Sequence, residues 1–290
     1  MTLEADAAEM LRQTSRTFYL SIDRLPPRIR EAVMSSYLSL RAIDEIEDHE
    51  RLDKRAKVSL LCDISHELQS RSSHPPRPLS TVFKAYRDEL PEVTNRLDEW
   101  ADLAPATIAS CICDATAAMA RRMAYWVGND WRIGTKRDLD RYTFSVAGAV
   151  GVLLSDLWVW YDGTPSRASD AIGYGRGLQA VNILRNRAED LERGVNFFPD
   201  GWTENDFRSY ARRNLSRGNV YVKSFPSGPA REFCQTPQDL AYATLDALER
   251  GEPKLSRSVV LELVRQSDRR INAEAESGDL ASLKNRMAMT

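Results

Sequence analysis

Apolar residues recur at three- and four-residue intervals along almost the whole chain, while alternating β-branched stretches are scarce, so the pattern predicts an all-α protein. Its interruptions set the expected boundaries. Pro26-Pro27 separates a first helix from one over about 28–50, and Ser72 to Pro78 reads as a loop. Further helices fit about 79–89, 92–101 and 104–128. A helix over about 137–161 ends at Asp162-Gly163-Thr164-Pro165, and another over about 167–193 is closed by Gly194. Shorter helices are expected at about 204–216, 229–249 and 255–276, with a frayed tail of about a dozen residues after them. Neither a repeat nor a long linker divides the pattern, which predicts one helical domain over 1–290 with a core of ample size.

Charge and cysteine usage narrow the partners. Forty Lys+Arg against 42 Asp+Glu leave a net charge of -2, which supplies no basic field for nucleic acid. The four cysteines show no zinc spacing and are too sparse for a disulfide scaffold, so a reducing cytoplasm is expected. The acidic start MTLEADAAEML lacks the cationic stretch and apolar run of a signal peptide. No uncharged apolar run approaches the roughly 18 residues needed to span a bilayer, so any membrane contact is expected to be peripheral.

Two helices carry the candidate chemistry. In Tyr37-Leu-Ser-Leu-Arg41-Ala-Ile-Asp44-Glu-Ile-Glu47-Asp48, the four-residue spacing puts Asp44 and Asp48 on one helix face, with Arg41 beside them. Stacked carboxylates repel unless a cation lies between them. Oxygen ligands of this kind suit Mg²⁺, which completes its shell with water and phosphate oxygens, and Arg41 is placed to hold a diphosphate. Taken alone, such a pair also fits a solvated acidic face, but the apolar neighbours Leu38, Leu40, Ile43 and Ile46 argue for burial, where an unpaired carboxylate is costly. Downstream, Gly177-Leu-Gln179-Ala-Val-Asn182-Ile-Leu-Arg185-Asn186-Arg-Ala-Glu189-Asp190 places Asn182, Asn186 and Asp190 on one line, with Gln179 beside it. An interhelical amide ladder is one reading of that line; the facing wall of a polar cavity is the other.

Other patterns point to packing. Gly173-Tyr-Gly175-Arg-Gly177 has no preceding strand, which excludes a Rossmann loop and favours close helix packing. Cys111 and Cys113 fit a core, and His49, His66 and His74 have no metal-ligand spacing.

In order and spacing, Ser15-Arg16-Thr17-Phe18, YLSLRAIDEIED, Val146-Ala-Gly-Ala-Val-Gly151 and LQAVNILRNRAED resemble the signature blocks of squalene and phytoene synthases. Phe233-Cys234-Gln-Thr-Pro237-Gln238, leading into Leu240, is more similar to squalene than to phytoene synthases. The resemblance covers roughly residues 14–250. It implies a helical bundle with a central cavity, in which two acidic helices face each other across Mg²⁺ and an allylic prenyl diphosphate. Asp44 and Asp48 match the first metal motif, and Asn182, Asn186 and Asp190 fall at the second. Tyr37 and Arg41 match residues that orient the diphosphate, as do Ser15 and Thr17. Phe18, Tyr142, Phe144, Ser145, Gln179 and Arg185 are the remaining expected substrate contacts. Allylic C–O ionisation follows, with cations neutralising the departing diphosphate and aromatic faces tolerating the carbocation.

Two departures shape the expected reaction. Asn186 stands where the family's second motif normally begins with aspartate, and Ser145 stands where many squalene synthases carry tyrosine. Leu157-Trp158-Val-Trp160-Tyr161 adds aromatic bulk that either packs the core or surface or shortens a tunnel. One weakened motif suits a single diphosphate departure, so the favoured expectation is transfer of a dimethylallyl group to an aromatic acceptor such as a carbazole. The alternative is head-to-head condensation of two farnesyl diphosphates to presqualene diphosphate, dehydrosqualene or squalene. A non-catalytic helical scaffold is the third reading.

Overall fold

The computed structural model describes residues 2–15, 18–71, 78–252 and isolated positions between 255 and 265. Most of the expected loop at 72–78, His74, Thr17, most of the expected helix at 255–276 and the carboxyl-terminal tail lie outside the described residues. Among the described residues there are helices and no strands, as the periodicity predicted.

The helices, in chain order, are α1 (Leu3–Thr14), α2 (Phe18–Asp23), α3 (Pro27–Glu47), α4 (Lys54–Ser70), α5 (Glu92–Asn95), α6 (Leu97–Asp102) and α7 (Ala109–Gly128). They continue as α8 (Lys136–Thr143), α9 (Ala149–Asp162), α10 (Ala168–Arg185), α11 (Arg187–Glu192), α12 (Glu204–Ser224) and α13 (Pro229–Glu249). Several boundaries depart from the sequence pattern for local reasons. The 79–89 segment forms only a 3₁₀ turn at Leu79–Thr81, and the 92–101 segment is split at Arg96. α4 escaped the sequence reading, although Asp53 caps its first turn and Leu60, Leu61, Ile64 and Leu68 line one buried face. Thr203 and Asp206 form a reciprocal capping box that starts α12, which runs eight residues beyond its expected end.

α3 is the central element. Pro27 occupies its first turn, where a missing N–H costs nothing, and Leu38, Ala42, Ile43 and Ile46 are fully buried. Small side chains let neighbours approach: the Ser35 hydroxyl donates to the Trp100 carbonyl at 2.7 Å, and Thr94 donates to the Ala42 carbonyl at 2.9 Å. One core cluster joins α3, α4 and α7; a second joins α10, α12 and α13. Trp131, Val146 and Leu178 pack against both.

α8 and α9 are joined by a π-helical segment, Phe144–Gly148, and this widened turn packs directly on α10. A Cβ added to Gly175 would stand 2.1 Å from the Ala147 carbonyl oxygen, and one added to Gly151 equally close to that of Ala171. Backbone contact across glycine therefore accounts for both glycine-rich stretches.

The helical run Lys136–Asp162 is long and apolar enough to cross a membrane by length and composition, with a mean hydropathy of 1.5 in its most apolar window. It contrasts with the expectation of no such run because it tolerates Asp156 within an otherwise apolar stretch. Its α9 part packs against α3, α7 and α10, and 44% of that window is buried.

Trp158 is fully buried with its ring 5.7 Å from that of Phe233, whereas Trp160 turns outward to bond Thr107 and lie under Arg28.

Candidate active site

The carboxyl-terminal half of α3 carries the first acidic wall. Helical bonding continues through it, with the Asp48 amide donating to the Asp44 carbonyl at 2.9 Å, so the two carboxylates follow one face. Arg41 donates to Asp44 at 2.6 Å and also to Glu45. The Asp44 side chain remains 36% exposed, yet its carboxyl is pushed up to about 7. Burial is the largest cause and the charge of Asp48 the next, with Arg41 opposing both. Arg41 alone therefore does not offset burial and the neighbouring charge at Asp44.

Glu47 points the opposite way. It is buried, accepts from Trp131 Nε1 at 2.7 Å, and is pushed up to about 8, chiefly by burial. Lys57 Nζ donates to the Glu47 carbonyl at 2.8 Å, which ties down the end of α3. Asp130 and Trp131 both adopt left-handed backbone (φ 52° and 48°), a conformation that costs about 1–3 kcal/mol per non-glycine residue. A Lys54–Asp130 ion pair and a 2.9 Å bond from the Trp131 amide to the Trp126 carbonyl hold this turn. Its effect is to aim Trp131 at Glu47.

The second wall is less regular. α10 ends at Arg185, and Asn186 (φ -97°, ψ 9°) is both its C-cap and the N-cap of α11, so the straight line expected through Asn182, Asn186 and Asp190 bends there. Arg185 Nε donates to Asn186 Oδ1 at 3.1 Å. Asn182 is exposed, Gln179 half-buried and Asp190 buried, with the Asp190 carboxyl pushed up first by burial and opposed by Arg193. Arg193 bonds Asp190 at 2.8 Å and reaches across to Asp48 at 3.4 Å, bridging the walls.

Tyr142 is buried within the field of both acidic groups. Its ring stacks on Phe197 at 4.6 Å and meets Trp126 edge-on at 5.5 Å. Its hydroxyl is pushed well above the usual phenol range, first by burial and then by the charges of Glu47, Asp48, Asp44 and Asp190. Tyr37 donates to the Thr14 carbonyl at 3.3 Å and is likewise raised by burial. Phe18 bridges Tyr37 and Phe233, with centroids at 5.9 and 6.4 Å, and the Ser15 hydroxyl accepts from its amide. The Ser145 hydroxyl is engaged elsewhere: it accepts from Trp126 Nε1 at 3.1 Å and donates to the Arg141 carbonyl at 2.7 Å. The Phe144 ring lies under the Arg122 guanidinium at 5.0 Å.

Among the described residues, no group of three or more His, Cys, Asp or Glu side chains converges into a ready-made metal cage. Asp44 and Asp48 instead offer a two-carboxylate platform, and the upward displacement of Asp44 is relieved by a divalent cation. That donor set fits a hard metal whose remaining positions are filled by water and diphosphate oxygens. Glu47, Lys57, Trp131 and Arg193 escaped the sequence reading. Only Arg193 carried a local signal, three residues beyond Asp190 on the same helix face.

A helical bundle with an acidic crevice flanked by arginine and aromatic rings defines the class: a fold equipped to hold an anionic, metal-assisted substrate. The squalene/phytoene synthase family profile matches residues 11–209. Squalene synthase of Eremothecium gossypii is 30% identical over 286 residues, 87% of this chain and 63% of that protein. Squalene synthase 1 of Panax ginseng is 33% identical over 294 residues, covering 89% and 68%. The chain therefore spans slightly under two thirds of the first relative's length. Among solved structures, TcSQS in complex with a ligand superposes with a TM-score of 0.74 at 23% identity, covering 91% of this chain and 85% of that one. A ligand-bound dehydrosqualene synthase gives 0.61 at 16%, covering 93% and 96%, and these two likenesses speak for the fold. The chain belongs to the squalene/phytoene synthase family, whose members are prenyltransferases that release diphosphate.

Proposed function

We propose that the chain is a prenyltransferase that ionises an allylic prenyl diphosphate in the crevice between α3 and α11, and that its reaction is head-to-head condensation of two farnesyl-type diphosphates. The carrying observation is the bridge made by Arg193, 2.8 Å from Asp190 and 3.4 Å from Asp48, which brings both acidic motifs to one place. Relatives named as squalene synthases support the coupling of two prenyl chains over the aromatic acceptor favoured by the sequence departures.

Asp44 and Asp48 would hold a divalent ion such as Mg²⁺, with Asp190, Asn182 and Asn186 as the residues that would face it, and the ion would neutralise charge on the leaving diphosphate. Arg41 adds a fixed guanidinium, and Tyr37 orients the same group with Ser15 and Thr17. As the allylic C–O bond breaks, its electron pair leaves with the diphosphate. The double bond of the second chain attacks the cation, and the C–H electron pair closes a cyclopropyl ring as the proton passes to the released diphosphate, leaving a product that still carries one diphosphate. Phe18 offers an aromatic face to the cation and Gln179 a substrate contact, whereas Tyr142, Phe144, Ser145 and Arg185 are engaged by Phe197, by Arg122, by Trp126 with the Arg141 carbonyl, and by Asn186.

A second reading, transfer of a short prenyl group to an aromatic ring, draws on Asn186: an amide in place of a carboxylate suits one departure better than two. Incubating the protein and Mg²⁺ with dimethylallyl, geranyl or farnesyl diphosphate, with and without indole, carbazole and phenol acceptors, separates them by mass spectrometry. A C30 product from farnesyl diphosphate alone supports condensation. Product formed only when an aromatic acceptor is present overturns it in favour of the second reading.

A further inference from the structure

Arg193 is the one described cation that bonds both acidic walls. It is the C-cap of the short α11, and the chain reverses directly after it: Gly194 takes φ 78°, and the Val195 amide donates back to the Asp190 carbonyl at 2.9 Å. The backbone of Arg193 is therefore fixed while its long side chain is not.

The two ends of its bridge differ. The Asp190 side chain is 12% exposed and its bond is 2.8 Å; the Asp48 side chain is 56% exposed and its contact is 3.4 Å. An exposed, long ion pair is weak and salt-screened, whereas a charged group bonded to a buried carboxylate is costly to displace. The bridge thus opens at Asp48 and stays anchored at Asp190. Asp48 is one half of the carboxylate pair on α3, and Arg193 supplies it with positive charge that a metal ion would otherwise provide.

We propose that Arg193 is a resident counter-ion that holds the two walls together before substrate enters, competing with a divalent cation for Asp48 and surrendering it when a diphosphate arrives. The inference rests on the proposed diphosphate site. A diphosphate is the one ligand that answers both needs: it supplies oxygens to a metal on Asp44 and Asp48, and its remaining charge gives the displaced guanidinium a new partner. Metal and diphosphate then bind cooperatively, each favouring the state the other needs, and by linkage the coupling is reciprocal. The neutral Asn186 fits the same scheme. With one carboxylate fewer on the second wall, a single arginine suffices to balance what remains there.

The test is Mn²⁺ binding followed by electron paramagnetic resonance, with and without inorganic pyrophosphate, in the wild-type protein, Arg193→Gln and Arg193→Lys. In the wild type, pyrophosphate is expected to tighten Mn²⁺ binding by about tenfold or more, within the usual range of such couplings. Arg193→Gln is expected to bind Mn²⁺ alone about fivefold more tightly than wild type, the scale set by losing one competing surface ion pair, and to show a smaller gain from pyrophosphate. Arg193→Lys should restore most of the wild-type coupling. If Arg193→Gln binds Mn²⁺ alone as weakly as wild type and gains as much from pyrophosphate, Arg193 is no counter-ion, while the diphosphate site stands. If no variant binds Mn²⁺ under either condition, the diphosphate site itself fails, and this proposal with it.

Discussion

The two acidic walls are built on opposite principles. The first is a continuous 21-residue helix whose end is tied by Lys57 and by the Trp131–Glu47 bond, and it presents two carboxylates with less positive charge than they need. The second bends at Asn186, exposes Asn182 and leaves Asp190 clasped by Arg193. On the first wall burial and Asp48 keep the Asp44 carboxyl raised despite Arg41, a displacement that a divalent cation would relieve; on the second, burial also raises Asp190, but Arg193 clasps it directly. Polar groups held in this way show where a protein withholds compensation for a ligand and where it supplies its own.

The largest expected effect comes from breaking the support of the second wall alone. Gly175→Val drives a side chain into the Ala147 carbonyl, so α10 must separate from the π-helical segment. Loss of about 3 kcal/mol or more of stability is expected, seen as a fall in the denaturant midpoint or as insoluble protein. A variant as stable as wild type contradicts the backbone contact.

A sharper comparison restores the missing carboxylate. Asn186→Asp is expected to raise turnover of farnesyl diphosphate a few-fold, corresponding to about 1 kcal/mol of added metal or leaving-group stabilisation. No gain, together with turnover of an aromatic acceptor, favours the single-departure reading.

The most gradual effect is spread over pH and concerns the base of the first wall. Glu47 ordinarily titrates near 4.5 and here near 8, so the folded state holds its proton more tightly. The stability this provides is complete below pH 4.5 and declines as pH rises to about 8, by up to about 1.4 kcal/mol per unit. Glu47→Gln should flatten the fall in melting temperature across that window. An unchanged slope places the effect in another group.

These contrasts also explain what was legible in the chain. Periodicity disclosed the helical class and the carboxylate spacing on α3, because both depend on neighbours within a turn or two. The glycines of the Gly173–Gly177 stretch announced close approach without naming its partner, the backbone of Ala147. Lys57 and Trp131 were silent because their roles depend on α4 and the turn after α7 meeting α3. The π-helical segment was hidden inside a continuous apolar run, and the bend at Asn186 inside a helical pattern whose i to i-4 bonds persist across it. Arg193 could be placed beside Asp190 but not against Asp48, since that contact spans 145 positions.

The central claim is that the carboxylates of α3 hold a metal for a departing diphosphate. The most direct measurement is release of diphosphate from farnesyl diphosphate with and without Mg²⁺, in wild type, Asp44→Asn and Asp48→Asn, alongside their thermal unfolding. The account expects Mg²⁺-dependent release in wild type and a loss of about a thousandfold or more in each variant, with unfolding temperatures near or above wild type because these carboxylates are placed for metal rather than packing. Release that persists in either variant would contradict it.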